Sequence, residues 1–251
     1  MCIRDSECVV SLLDYVAHKK PQPAYVYASS SSVYGLNKKI PFSELHAIDH
    51  PANLYGTSKF GNEQIAAAYH NIHGLKSVGL RFFTVYGPWG RPDMAVSLFT
   101  NKIENGETIT LFNGGEMWRD FTFVDDIVQG IELSMEYCSD NAAVFNLGNS
   151  KPVKLGYFLE QIEKRLGVKA KFKYQASNAE IKETYADVSK AHELLGYQPT
   201  TSIESGLDQF MAWYKKLDKR TRDEWAGGRF KAGRMRRRSV SYTHLTLPTK
   251  A

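Results

Sequence analysis

The sequence predicts an α/β protein in which helices cover a parallel sheet. Two short apolar runs, AYVYAS (24–29) and SVGLRFFTVYG (77–87), are typical of strands buried on both faces. Between them, residues 54–69 have helical spacing, and Gly74 is a suitable helix stop. Strand, helix and strand in this order form the βαβ unit of a parallel sheet.

The other elements are predicted from the same signals, in chain order. A helix is predicted over 7–18, and a loop of about 20 residues follows the first strand; loops this long in compact domains are usually functional. The remaining elements are a helix over 93–105, two short strands around a glycine turn in 107–123, a helix from about Asp125, a strand at 144–149, a helix at 155–167, an edge strand within 168–175, and helices within 187–199 and 202–217.

Composition limits the class of protein. The chain has 251 residues, 43% of them hydrophobic and 12% aromatic, which is enough for one large packed domain or two small ones. It contains no uninterrupted apolar run long enough to span a membrane. Its three cysteines have neither metal nor disulfide-framework spacing, which favours a reducing, cytoplasmic compartment.

The net charge of +5 comes from the carboxyl-terminal end. Eleven basic and three acidic residues lie between Lys215 and Arg238, and the rest of the chain is acidic on balance. Residues 216–251 are therefore interpreted as a disordered basic tail; binding of nucleic acid by this tail is the less favoured alternative. Residues 1–6 and 241–251 fit no periodic pattern and are interpreted as foreign sequence.

A phenol and an ammonium group lie four residues apart at Tyr55 and Lys59. On a helix this spacing places both side chains on one face. A nearby ammonium stabilises the phenolate and lowers the pKa of a tyrosine, which suits removal of a proton from an alcohol. Loss of that proton is useful only if a hydride also leaves, which indicates a nicotinamide cofactor.

Four consecutive serines, residues 29–32, follow the first predicted strand. Ligands bind outside the carboxyl ends of the strands in open parallel sheets. A tyrosine–lysine pair by itself is more often an accidental surface pair. The hydroxyl cluster at a strand end, 25 residues before the tyrosine, favours a catalytic site instead.

Several separate motifs resemble one known superfamily. YVYASSSSVYG, LYGTSKFGNE, GLRFFTVYGPWGRPDMA, RDFTFVDDIVQGI and FNLGNSKPV occur in the order and spacing of the extended short-chain dehydrogenases/reductases, and most resemble the UDP-glucuronate 4-epimerase family. The resemblance covers about residues 7–215. It implies a partial Rossmann-like parallel sheet whose amino-terminal strands are missing, and a smaller α+β substrate-binding lobe.

The resemblance also implies domain limits. Residues 7–84 would be the remnant of the NAD-binding domain, and residues 85–215 would form mainly the substrate-binding lobe with some Rossmann elements. No Gly-x-x-Gly-x-x-Gly turn occurs to hold the cofactor pyrophosphate, so the chain is expected to be an inactive fragment. Members of the superfamily are often dimers, so a homodimer is expected of the complete protein.

Residue roles follow from the resemblance, position by position. Tyr55 would be the general base, Lys59 would tune it and hold the nicotinamide ribose, and Ser30 would contact the C4 oxygen of a UDP-sugar. The cofactor would also be lined by Ala28, Ser29 and Phe83. The sugar and its nucleotide would be bound by Ser31, Ser32, Thr84, Arg91 and Arg119, with Arg91 matched to a sugar carboxylate.

The expected reaction is inversion at C4 through a 4-keto sugar and transient hydride transfer to NAD. Related dehydratases carry acids at the positions of Ser31 and Ser32, and related decarboxylases carry a glutamate at the position of Ser32. The serines found here favour epimerisation, with decarboxylation or dehydration as the alternative. His70 and His73 are interpreted as surface residues rather than metal ligands, and no metal is expected.

Overall fold

The computed structural model describes residues 2–137, 142–175 and 182–226. The helices in these ranges are α1 (Cys2–Ala17), α2 (Leu54–His73), α3 (Ala95–Glu104), α4 (Val124–Glu136), α5 (Leu155–Leu166), α6 (Ser189–Leu195), α7 (Ile203–Lys216) and α8 (Lys219–Ala226). The strands are β1 (Tyr25–Ser30), β2 (Ser77–Phe82), β3 (Thr84–Tyr86), β4 (Thr108–Phe112), β5 (Trp118–Arg119), β6 (Phe121–Phe123), β7 (Ala142–Leu147), β8 (Val153–Lys154), β9 (Lys171–Gln175) and β10 (Glu183–Thr184).

The main sheet is parallel and has the order β1-β2-β7 among the described residues. Its register aligns Ser30 with Phe82, and Phe82 with Leu147, so the three strands end at one edge. Helix α2 connects β1 to β2, which confirms the βαβ unit that the sequence predicts. The helix ends at Gly74, which adopts the left-handed conformation and donates its N–H to His70.

Helices cover both faces of this sheet. Leu13 of α1 and Ala66 of α2 pack with Tyr27 of β1 on one face. On the other face, Ile127 of α4 and Leu195 of α6 pack against the apolar residues of β2 and β7. Because helices cover both faces of the sheet, the strand sequences are apolar on both sides.

A second hydrophobic core lies under α3, α5 and α7. It includes Phe121, which stacks on Phe158 with ring centres 4.2 Å apart, and Phe210 of α7. Strand β4 pairs in parallel with β9, whose exposed and partly exposed residues confirm the edge strand predicted there. No helix among the described residues combines the length and the apolar character needed to cross a membrane.

The long loop after β1 is hydrogen-bonded to a segment on the opposite side of the main sheet. Phe42 accepts and donates backbone hydrogen bonds with the segment 185–187, at 2.9 Å each. The Phe42 ring stacks on Tyr34 with centres 4.7 Å apart. The loop thereby connects the serine end of β1 to the β7 side of the sheet.

The second predicted strand is divided in two at Phe83. The Phe83 N–H still bonds Leu147 of β7, but the Thr84 N–H bonds Asp120, and β3 then pairs with β6. The chain therefore passes from one sheet to another within a single apolar run. Periodicity cannot detect this change, because the apolar run continues through both halves.

Two predicted boundaries need correction. The basic tail was expected to be disordered from residue 216, but α8 forms over Lys219–Ala226, and Arg222 pairs with Glu104 of α3. Helix α1 begins at Cys2 and not at residue 7 as predicted; the interpretation of residues 1–6 as foreign sequence stays a prediction. Residues 227–251, where the rest of the predicted tail falls, lie outside the described residues.

Candidate active site

The serine cluster begins with the last two residues of β1, Ser29 and Ser30. Ser29 and Ser30 are buried, and residues Ser31–Tyr34 form a short 3₁₀ helix. The Ser30 hydroxyl oxygen caps that helix by accepting the Ser32 N–H at 3.2 Å, and the Ser30 hydroxyl donates to Ser32 Oγ at the same distance. The strand end and the turn thus hold the hydroxyl groups in one fixed cluster.

Helix α2 starts directly beside these serines. The Asn53 side chain caps the helix by accepting the Gly56 N–H at 2.7 Å. A Cβ atom at position 56 would lie 2.3 Å from the Ser32 carbonyl oxygen, so only a glycine permits this approach. The first turn of α2, which carries Tyr55, is therefore packed against the serine turn.

Tyr55 and Lys59 lie on the same face of α2, as their spacing predicts. The Lys59 side chain is buried, with 4% of the residue exposed, and its Nζ lies 6.0 Å from the centre of the Tyr55 ring. Tyr55 is half-buried, and its hydroxyl oxygen is shielded from solvent. The pair therefore lies in a desolvated setting, where the effect of the ammonium on the phenol is stronger than at a surface.

The residues expected to line the cofactor lie at neighbouring strand ends. Ala28 and Ser29 are near the end of β1, and Phe83, 7% exposed, directly follows Phe82, the register partner of Ser30. A buried ammonium at Lys59, an aromatic face at Phe83 and the Tyr55 hydroxyl supply the donors and apolar surface that a nicotinamide riboside requires. The residues present therefore fit the nicotinamide half of NAD.

The residues expected to bind the sugar nucleotide are divided between elements. Thr84 borders a shallow depression that Gly87, Met94 and Phe121 also line. The Arg91 guanidinium is held by Asp93, with Nε donating to Oδ1 at 3.0 Å. Arg119 Nη1 donates to the Trp118 carbonyl oxygen at 2.9 Å. These pairings of Arg91 and Arg119 do not involve the serine–tyrosine–lysine cluster.

The two histidines interpreted as surface residues, His70 and His73, contact nearby residues. His70 Nδ1 lies 3.2 Å from the Leu75 carbonyl oxygen, and the His73 ring lies 5.1 Å from that of His18. Across the described ranges, no group of three or more histidine, cysteine, aspartate or glutamate side chains is arranged to hold a metal ion.

A buried polar network beside the site was missed by the sequence analysis. Glu63 of α2 pairs with Arg81 of β2, and Arg81 Nη1 donates to the Tyr34 hydroxyl at 3.0 Å. Tyr34 in turn donates to Asn146 Oδ1 of β7 at 2.7 Å. The signal was present at Arg81, because a single charge inside an apolar strand requires a buried partner.

Comparisons with known proteins identify the family. Residues 4–148 match the model of the NAD dependent epimerase/dehydratase family. UDP-glucuronate 4-epimerase 1 of Arabidopsis thaliana is 45% identical over 82% of this chain and 52% of its own length. The uncharacterized protein MJ1055 of Methanocaldococcus jannaschii is 52% identical over 75% of this chain and 58% of its own length. The chain thus spans somewhat more than half the length of these curated relatives.

A solved structure agrees with these relatives. The UDP-glucuronic acid 4-epimerase of Bacillus cereus, determined in complex with UDP-glucuronic acid and NAD, superimposes with a TM-score of 0.79 at 33% identity. The match covers 85% of this chain and 68% of that one. The parallel sheet, the match over more than half of the chain and these relatives lead to one conclusion: the chain belongs to the NAD dependent epimerase/dehydratase family.

Proposed function

We propose that this chain carries the catalytic half of a nucleotide-sugar 4-epimerase that interconverts UDP-glucuronate and UDP-galacturonate. The observation that carries the proposal is the packing of the first turn of α2 on the serine turn, with the buried Lys59 behind Tyr55. The relatives named as UDP-glucuronate 4-epimerases support the choice of reaction and of substrate.

In this proposal Tyr55 accepts the proton of the sugar C4 hydroxyl. The Lys59 ammonium stabilises the phenolate that makes this transfer favourable, because the desolvated pair is little screened by water. Ser30, with Ser31 and Ser32 beside it, donates hydrogen bonds to the C4 oxygen. NAD⁺, when bound, would supply the acceptor for the C4 hydride and the donor that returns this hydride to the opposite face of the 4-keto sugar; Ala28, Ser29, Lys59 and Phe83 would hold its nicotinamide end.

Substrate selection is assigned to residues further along the chain. Arg91 would bind the hexuronate carboxylate with its planar guanidinium. The substrate carboxylate would then replace the Asp93 carboxylate as the partner of Arg91. Thr84 would contact the sugar, and Arg119 the nucleotide diphosphate. The absence of a carboxylate at positions 31 and 32 supports simple epimerisation over elimination or decarboxylation.

A test should use the chain preceded by the amino-terminal segment of the Bacillus cereus epimerase, since this chain covers 68% of that protein. We expect UDP-glucuronate to be converted to its C4 epimer without release of CO₂. Release of CO₂ would favour the decarboxylase alternative, and loss of water from the sugar would favour a dehydratase. We also propose that the complete protein is a cytoplasmic homodimer, to be tested by light scattering and by cell fractionation.

A further inference from the structure

Three residues of α2 that carry ionisable side chains follow one another at four-residue spacing. Tyr55, Lys59 and Glu63 lie on one face of the helix, and both Lys59 and Glu63 are buried. Oppositely charged side chains one turn apart on a helix are close enough to pair with each other. A Lys59–Glu63 pair would offset the positive charge that Tyr55 needs nearby.

The Glu63 carboxylate is directed across the sheet instead. Arg81 Nε donates to Oε1 at 2.9 Å, and Arg81 Nη2 donates to Oε2 at 2.7 Å. The Ser29 hydroxyl also donates to Oε1, at 2.5 Å. Both oxygens of the Glu63 carboxylate thus accept hydrogen bonds from groups on β1 and β2. The side chains of Arg81 and Glu63 are only 5% and 3% exposed.

The Arg81 guanidinium is itself held in place. Its Nη1 donates to the Tyr34 hydroxyl, which donates to Asn146 Oδ1, and Asn146 Nδ2 donates to the carbonyl oxygen of Phe42 at 2.8 Å. Burial by itself would lower the pKa of Arg81, but the hydrogen bonds and charge of Glu63 outweigh it and raise that pKa. A planar guanidinium can engage two carboxylate oxygens at once, which a lysine cannot do.

We propose that Arg81 is a positioning residue for the catalytic pair: by binding both oxygens of Glu63, it keeps this carboxylate from Lys59, so that the Lys59 ammonium stays directed at Tyr55. The inference rests on the proposed roles of Tyr55 and Lys59, and it adds a residue on β2 to them. Arg81 acts only through Glu63 and Lys59 and touches neither sugar nor cofactor in this scheme.

Other ionisable groups surround the Glu63–Arg81 pair and must be kept constant in a test. They are Tyr27 of β1, Tyr34 after β1, Glu44 of the long loop and Lys190 of α6. Burial and the negative charge of Glu63 raise the pKa of Tyr27 above its ordinary range, although Arg81 acts in the opposite direction, and burial raises the pKa of Tyr34 to about 12.

The test is a titration of Tyr55 in the 251-residue chain, without cofactor or substrate. The ultraviolet absorbance of tyrosinate is followed against pH for each protein and for its Tyr55→Phe counterpart, and the difference reports Tyr55 alone. Lys59→Met should raise the pKa of Tyr55 by about one unit or more. Arg81→Met should raise it in the same direction by a similar amount, because the released Glu63 then pairs with Lys59.

A matched variant separates this role from a structural one. Glu63→Gln breaks the same ion pair, yet it should not raise the pKa of Tyr55, because no carboxylate remains to engage Lys59. The double variant Glu63→Gln/Arg81→Met should return that pKa close to the parent value. If the network served only to hold the fold, Glu63→Gln and Arg81→Met would instead disturb Tyr55 alike.

The outcomes distinguish the role of Arg81 from the proposed roles of Tyr55 and Lys59. If Lys59→Met raises the pKa of Tyr55 but Arg81→Met does not, the role of Arg81 is overturned while the tyrosine–lysine pair stands. If Lys59→Met has no effect, the proposed function loses its base, and the role of Arg81 fails with it. If the circular dichroism of Arg81→Met shows that this variant does not fold, Arg81→Lys is titrated in its place. We expect Arg81→Lys to raise the pKa of Tyr55 by a smaller amount. If that pKa does not rise, the inference is overturned.

Discussion

Gly56 decides how closely helix α2 approaches the serines at the end of β1. Its backbone is helical, so the reason for glycine is space and not a left-handed conformation. A side chain at this position would meet the Ser32 carbonyl oxygen at 2.3 Å, a distance that packed atoms do not tolerate. The distance between the Tyr55 phenol and the serine hydroxyls therefore depends on a missing methyl group.

We expect Gly56→Ala to lower the free energy of unfolding by about 1–3 kcal/mol, because the helix must move away from Ser32. Gly61→Ala on the same helix is the matched control, since nothing lies within 4 Å of its added Cβ. That control should raise the free energy by about 0.5–1 kcal/mol. Urea denaturation of both variants measures the difference, and equal effects of the two substitutions would contradict this packing.

Glu44 makes stability depend on pH. Its Oε1 accepts the Asn146 N–H at 2.7 Å, and burial raises the pKa of this carboxyl above its ordinary value of 4.5. Because the folded pKa is the higher one, the contribution of Glu44 to stability is complete below pH 4.5 and is lost as pH rises through the raised value. Glutamine would keep the acceptor oxygen and lose this dependence.

We therefore expect Glu44→Gln to gain stability relative to the parent as pH rises from 4.5 toward 7. The difference between the two proteins reports on Glu44, since Asp120, a buried carboxyl whose pKa is also raised, is common to both. Urea denaturation at a series of pH values measures this difference. A variant that became less stable relative to the parent as pH rose would contradict the assignment.

At the scale of elements, a carboxylate at the start of α4 binds a segment that is distant in the sequence. Asp125 and Asp126 lie in the first turn of α4, whose cap residue is Phe123, and Phe123 makes no side-chain capping bond. Asp126 is buried and accepts the backbone N–H groups of Thr200 and Thr201 at 3.1 and 3.2 Å. This carboxylate joins α4 to the segment that leads into α7.

We expect Asp126→Ala to lower the free energy of unfolding by about 1–3 kcal/mol, because two backbone donors lose their acceptor. Asp125→Ala is the control, since Asp125 is exposed in the same helical turn. Its favourable interaction with the helix dipole is worth less than about 1 kcal/mol. Thermal denaturation compares the two variants, and a larger loss for the exposed aspartate would refute the assignment.

Local elements could be predicted from the sequence, while their long-range partners could not. The strand at 25–30, the helix from Leu54 and its end at Gly74 follow from periodicity and stop signals near in sequence. The pairing of β4 with β9 and the contacts of Glu63, Arg81, Tyr34 and Asn146 join residues far apart in the chain. Hydrophobic pattern does not identify such partners. The tyrosine–lysine pair could therefore be predicted, whereas the charge of Arg81 indicated only that a buried partner is required and not which residue supplies it.

At the scale of the whole molecule, the sheet places the site at its carboxyl edge. Within the described residues, β1 pairs on one side only, with β2. The chain covers 52% of the Arabidopsis relative and 68% of the Bacillus structure. The residues proposed to hold the nicotinamide lie at this edge, and no Gly-x-x-Gly-x-x-Gly turn occurs in the sequence to bind the pyrophosphate.

We accordingly expect the 251-residue chain to lose NAD during gel filtration. Its residues offer the nicotinamide end a site but supply no glycine-rich backbone cradle for the two phosphates, where much of the affinity for dinucleotides lies. The absorbance of the protein fraction and an enzymatic assay for released NAD measure retention. One equivalent of NAD retained per chain would contradict this expectation.

The most direct measurement of the central claim is C4 inversion of UDP-glucuronate by the chain joined to the amino-terminal segment of the Bacillus relative. Tyr55→Phe should reduce the rate by about a hundredfold or more, since general base catalysis contributes that much. Tyr69→Phe, on the same helix outside the site, serves as the control and should leave the rate near that of the parent. Undiminished inversion by Tyr55→Phe would show that the phenol is not the base.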